Sequence, residues 1–218
     1  MSGIACIVGA GDMTGTRLYI PDGSLVIAAD GGLSPLKNEG CEPALIVGDF
    51  DSLGTLPQGD NVLRLPPEKD DTDMLFCVRL ALERGADTLL IYGGLGGRFE
   101  HSIANLQTLA FIANSGARGY LIGCGSVCTV IKNSALRFDD SMSGYVSVFC
   151  LGSSASGVDL EGLKYPLSNQ TLSGDFPLGV SNEFLGAPSS VSVREGLLCV
   201  IWGSEGNKIE GVLKQNRA

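Results

Sequence analysis

A chain of 218 residues is long enough for one large domain or two modest ones, and with 44% hydrophobic against 18% charged residues it can bury a sizeable core. The net charge of −9 and pI near 4.5 argue against a nucleic-acid binder, because phosphate contacts need a basic face; an anionic substrate would need a bridging cation or a locally basic pocket. No apolar run approaches the roughly 20 residues of a membrane span.

The opening segment, Met1 to Met13, lacks the basic region of a secretory signal and reads as a first β-strand. From Ile4 to about Gly123 the pattern is strand, loop, helix, repeated. Ile4–Val8, Leu25–Ala29, Ala44–Val47, Thr88–Tyr92 and Tyr120–Ile122 are short apolar runs without strict alternation, as suits strands buried on both faces of a parallel sheet. Helices are predicted over Thr72–Arg84, stopped by Gly85, and over Glu100–Asn114.

After about Gly125 the pattern changes. Val127–Ile131, Tyr145–Cys150, Ser190–Val193 and Leu197–Trp202 are β-rich and separated by Gly, Ser, Asn and Asp turns, and no useful helical period follows. The expected fold is an α/β domain over 1–125 with a mainly parallel sheet, then an all-β sandwich over 126–218. The seven cysteines lie mostly within apolar runs, without CxxC pairs. They read as reduced core thiols, which predicts a cytoplasmic protein.

Three segments carry candidate chemistry. In Ile46-Val47-Gly48-Asp49-Phe50-Asp51-Ser52 two carboxylates follow a strand end, where open α/β sheets bind ligands. They could share a hard cation such as Mg²⁺, or form a solvated turn. In Lys69-Asp70-Asp71-Thr72-Asp73, Asp70, Asp71 and Thr72 are credible helix caps, Asp73 would sit in the first turn where the helix dipole favours it, and Lys69 suits phosphate contact. Gly93-Gly94-Leu95-Gly96-Gly97-Arg98 follows a strand and opens a helix. Its glycines let backbone N–H groups approach phosphates, and Arg98 adds a planar cation; a tight connection is the plainer reading. No P-loop occurs, and Gly9-Ala10-Gly11-Asp12-Met13-Thr14-Gly15 is not a dinucleotide fingerprint. His101, the one histidine, reads more readily as a hydrogen-bonded structural residue than as a general base, and excludes His-rich zinc sites.

Asp30-Gly31-Gly32, Gly48-Asp49-Phe50-Asp51-Ser52, the 69–73 segment, the 93–98 segment, Gly162-Leu163-Lys164-Tyr165-Pro166-Leu167 and Ser181-Asn182-Glu183 together resemble the thiamine pyrophosphokinases in order and spacing. The resemblance implies a thiamine diphosphokinase that transfers the diphosphate of ATP to the thiamine hydroxyl. It also implies a homodimer with thiamine bound between subunits; the acidic charge and the lack of a long apolar run predict no nucleic-acid or membrane partner. Asp49, Asp51 and Asp73 would hold Mg²⁺, with Lys69 and Arg98 neutralising charge. Asp30, Gly31, Gly32, Thr72, Gly93, Gly94, Gly96, Gly97, Arg98, His101 and Asn105 would cradle ATP, and Tyr165, Ser181 and Asn182 would contact thiamine. Either Asp73 or Asp51 would accept the hydroxyl proton. Two departures stand out: relatives often carry Asp at position 100, where Glu100 stands, and Trp at position 165. The rivals are a diphosphotransferase for another small alcohol, such as a hydroxymethylpterin, and a nonenzymatic vitamin-binding module.

Overall fold

The computed structural model describes residues 3–50, 58–66, 68, 70–206 and 208–216. Expectations that fall on Asp51 and Lys69 therefore lie outside the described residues. The chain divides into two compact units, Met1–Cys124 and Gly125–Ala218.

In the first unit, β1 (Gly3–Val8), β2 (Leu25–Ala29), β3 (Leu45–Gly48), β4 (Val62–Arg64), β5 (Ala86–Tyr92) and β6 (Arg118–Gly123) run parallel in the spatial order β6-β5-β1-β2-β3-β4. Consecutive residues of β1 and β5 are buried, including Cys6, Ile7, Val8, Leu89 and Leu90. Both faces of these strands are covered, as their unbroken apolarity predicts. The order proceeds from β1 outward through β2, β3 and β4, then returns to β5 on the other side of β1. That reversal opens a crevice at the carboxyl ends of β1 and β5, the usual ligand position in open α/β sheets.

The helices are α1 (Leu33–Asn38), α2 (Asp73–Glu83) and α3 (Phe99–Asn114), preceded in the first case by a 3-10 turn at Asp30–Gly32. Helix α2 buries Met74, Cys77, Val78 and Ala81, positions spaced by three and four residues. Of the three candidate caps, Thr72 takes the position: its Oγ1 accepts from the Leu75 N–H at 3.1 Å. Asp71 instead pairs with Arg79 at 2.9 Å, and the Arg79 guanidinium lies 4.8 Å from the Phe111 ring centroid on α3. Thr72→Ala is expected to lower stability by about 1 kcal/mol, measured by denaturant titration, because the first turn of α2 loses its side-chain acceptor.

The second unit contains β7 (Ser126–Lys132), β8 (Ala135–Phe138), β9 (Tyr145–Cys150), β10 (Ser154–Glu161), β11 (Leu167–Ser173), β12 (Gly179–Glu183), β13 (Ser189–Glu195), β14 (Leu197–Gly203) and helix α4 (Ile209–Asn216). Strands β12-β9-β14-β7 lie side by side antiparallel, and β11-β10-β13-β8 form a second antiparallel layer. The two layers meet where β10 packs on β14 and β13 on β7. Phe138 sits between Phe184 and Trp202 in edge-to-face contacts at 5.1 and 5.3 Å.

One expectation for this half needs correction: a helix does follow the strands. Helix α4 spans eight residues with Gly211 inside it, too short to show a period, yet it buries Ile209, Val212 and Leu213 on one side. Its last residue, Asn216, donates to the Arg137 carbonyl at 2.7 Å and accepts from the Arg137 N–H at 2.8 Å. That amide occupies the outer edge of β8, the last strand of its layer. Among the described residues no helix is long and apolar enough to cross a membrane.

Candidate active site

The carboxyl ends of β1, β2 and β5 and the start of α2 enclose a cavity of about 450 Å³ within the first unit. Its β1 wall is Gly9-Ala10-Gly11, a turn set aside in the sequence because it fits no dinucleotide fingerprint. The Gly9 N–H donates to the Tyr92 carbonyl at 2.8 Å and the Gly11 N–H to the Gly93 carbonyl at 3.0 Å. A Cβ on Gly11 would fall 2.3 Å from the Gly93 carbonyl oxygen, so the β1 and β5 turns meet backbone to backbone. The readable signal was two glycines directly after a buried strand.

Gly93, Gly96 and Gly97 line the cavity with positive φ (65, 79 and 68°), the conformation that favours glycine. Gly94 stands behind them. Its carbonyl accepts from the Asn105 side-chain Nδ2 at 2.7 Å, and Asn105 is itself buried on α3. Asn105 thus pins the turn and also borders the cavity. Arg98 occupies the N-cap of α3 with extended backbone. Its exposed guanidinium contacts the His101 ring and lies 3.5 Å from Glu100. Arg98 and His101 both line the cavity, at a helix N-terminus suited to anions.

The same cavity also has acidic lining. Asp30, Asp71 and Asp73 line it together with Thr72. Asp71 was not an expected site residue; it stands there because Arg79 holds it. Asp30 takes φ of 50°, a conformation an ordinary side chain rarely adopts and one that clusters at functional sites. Buried Oδ1 atoms of Asp30 and Asp73 are shielded from solvent. The thiol of Cys77, one turn along α2 from Asp73, is pushed up to about 12 by burial first and then by the Asp73 charge.

Several expected residues stand outside the cavity lining. Gly32 contributes close packing: a Cβ there would lie 1.8 Å from the Val8 carbonyl oxygen. Gly31 faces Ala10 more loosely, at 3.0 Å. Asp49 follows β3, half-buried, one strand over from Asp30. The next residue, Phe50, is 2% exposed with φ of 60°, an uncommon value for an aromatic residue. Among the described residues no three His, Cys, Asp or Glu side chains converge as a cation site.

In the second unit, Tyr165 is 57% exposed and Asn182 is buried. Ser181, with φ of 55°, donates its N–H to the Ser147 hydroxyl at 3.0 Å. Lys164 Nζ pairs with Glu183 at 2.6 Å and stands 5.5 Å from the Tyr165 ring centroid. The Glu183 hydrogen bond raises the Lys164 pKa above its ordinary value.

Comparison with known proteins follows the same division. Residues 16–121 match the family model "Thiamin pyrophosphokinase, catalytic domain", and 133–198 match "Thiamin pyrophosphokinase, vitamin B1 binding domain". A curated thiamine pyrophosphokinase of Bacillus subtilis is 28% identical over 198 residues, covering 87% of this chain and 91% of the relative. The crystal structure of thiamin pyrophosphokinase from Geobacillus thermodenitrificans superposes with a TM-score of 0.80 at 29% identity, covering 92% of this chain and 97% of that one. That from Bacillus subtilis gives 0.79 at 26%, covering 92% and 98%. With both domains of one family matched in sequence order along most of its length, the chain belongs to the thiamin pyrophosphokinase family.

Proposed function

We infer that this chain is a thiamine diphosphokinase, which moves the terminal diphosphate of ATP to the hydroxyl of thiamine and releases AMP. The observation that carries the reading is the cavity at the carboxyl ends of β1, β2 and β5. There a glycine-rich turn and Arg98 share one lining with Asp30, Asp71 and Asp73. Transfer of a phosphoryl-type group asks a protein mainly for positioning and charge stabilisation.

In this reading the 93–97 turn and the N-terminus of α3 receive the polyphosphate, and Arg98 and Lys69 balance charge that develops during transfer. An anion entering the cavity competes with Glu100 for Arg98, an exposed pair that holds it weakly. Of the aspartates assigned to the ion, Asp73 lines the cavity and Asp49 follows the strand beside Asp30; both offer carboxylate oxygens, the donors a hard cation such as Mg²⁺ prefers. Asp49, Asp51 and Asp73 would hold that ion, which when bound would neutralise phosphate oxygens. Asp73 or Asp51 takes the hydroxyl proton. Asp30, Gly31, Gly32, Thr72, His101 and Asn105 shape the nucleotide side of the site.

The second unit supplies thiamine recognition through Tyr165 and Ser181. A homodimer with its thiamine pocket between subunits belongs to the same reading. Tyr145, Leu178, Val180 and Leu185, on or beside the edge strand β12, are all large, apolar and exposed. A cytoplasmic location is supported by seven free cysteines, of which Cys77, Cys128 and Cys199 are pushed up to about 12 and Cys6 to about 11, chiefly by burial.

The test is incubation of the chain with ATP, Mg²⁺ and thiamine, followed by chromatography. AMP and thiamine diphosphate are expected in equal amounts, from a species sedimenting as a dimer. AMP without thiamine diphosphate, or neither product, would overturn the assignment.

A further inference from the structure

Asn182 is 2% exposed, and its amide is committed to neighbouring backbone. Its Oδ1 accepts from the Tyr165 and Glu183 N–H groups, each at 2.9 Å, and its Nδ2 donates to the Tyr165 carbonyl at 2.7 Å. A side-chain amide carries the same donor and acceptor as a peptide unit. Here it grips both backbone polar groups of one residue, as a neighbouring strand would.

The place of this grip gives it meaning. The 162–166 segment joins β10 to β11 and runs past the end of β12. Leu163 bridges Phe184, and the Lys164 N–H donates to the Glu183 carbonyl at 3.1 Å. Asn182 then extends the attachment by one residue, to Tyr165, whose backbone is already narrowed by the following Pro166. Beyond that anchored backbone, the Tyr165 ring is 57% exposed and the Lys164 ammonium sits near its face. A buried clamp thus fixes the root of a side chain whose ring is more than half exposed.

We propose that Asn182 is a positioning residue: by holding the Tyr165 backbone it presents that ring to the cationic heteroaromatic substrate, without touching the substrate itself. The proposal rests on the functional reading above, in which Tyr165 meets thiamine. It differs from the direct thiamine contact that the resemblance implies for Asn182. Stacking on a cationic ring depends on the orientation of the aromatic face, so a loosened root weakens it with no contact removed.

A double-mutant cycle on the full chain separates the two roles. Asn182→Asp keeps the shape and the Oδ1 acceptor but sets a carboxylate oxygen against the Tyr165 carbonyl. In the wild-type background it is expected to raise the KM for thiamine about tenfold, with the KM for ATP within about twofold, the scale of one or two lost hydrogen bonds. In a Tyr165→Ala background the same change is expected to add less than about twofold, because the ring it positions is gone. Asn182→Ser, which removes both bonds to Tyr165, serves the same cycle should Asn182→Asp fail to fold. An effect of Asn182 that persists undiminished beside Ala at 165, or an unchanged KM for thiamine in both single variants, overturns the proposal. A wild-type chain that binds no thiamine overturns the functional reading and the proposal with it.

Discussion

Asp73→Asn is expected to cut turnover of ATP and thiamine by about a thousandfold, the upper part of the range seen when one charge-stabilising group is removed from a phosphate or oxyanion site. The replacement is isosteric and neutral, so it tests charge rather than shape. Asp73 opens α2 and lines the cavity, with Oδ1 shielded from solvent. A carboxylate at the cavity wall is well situated to meet a cation. The helix itself is held by Thr72 and by the burial of Met74, Cys77, Val78 and Ala81, all untouched by the change. Loss of a first-turn acid from the helix dipole costs under about 1 kcal/mol. Turnover should therefore collapse while the melting temperature moves by a few degrees at most. Chromatographic assay of AMP and thiamine diphosphate, beside a thermal melt, gives both numbers. Turnover within threefold of wild type would remove Asp73 from the metal and proton-accepting roles.

Gly32→Ala is expected to prevent stable folding of the first unit. Its Cβ would stand 1.8 Å from the Val8 carbonyl oxygen, 2.5 Å from the Val8 carbonyl carbon and 3.1 Å from the Gly9 nitrogen. Every one of these atoms is backbone at the end of β1, and no rotamer can relieve the overlap. Relief requires moving β1, whose residues are buried on both faces and paired with β2 and β5. Overpacking of that kind costs about 3 kcal/mol or more. Gly31→Ala is the control, since its nearest neighbour is the Ala10 Cβ at 3.0 Å and a small shift accommodates it. Soluble yield and denaturant unfolding of the two variants should differ sharply. A Gly32→Ala protein as stable as wild type would mean that β1 and the Asp30–Gly32 turn are not this close.

The parallel half was legible because its strands are buried on both sides, which leaves unbroken apolar runs that no other element of that length produces. Leu25–Ala29 was placed to the residue, and β5 and β6 were extended only at their ends. The second half was legible in class but not in detail. Strands β10, β11 and β12 are rich in Ser, Gly and Asn, and β11 has four consecutive exposed residues, so they read as turns. Their strand character comes from partners distant in sequence, which no local window contains.

At the sites, the residue types and their order determined the family and the broad chemistry: acids, a glycine-rich turn and an arginine near strand ends. The use of each residue was decided only by tertiary structure. Asp70, Asp71 and Thr72 are all credible caps by propensity, and the choice falls to Thr72 while Arg79, eight residues on, takes Asp71. Gly32 belongs to a motif that resembles a phosphate cradle, yet what demands glycine there is a carbonyl oxygen on another strand. Asn182 resembles a ligand contact, yet its amide turns inward to a backbone 17 residues away. Sequence fixes which groups a chain owns; whether a group faces a ligand or a neighbour depends on through-space distances that only the folded backbone sets.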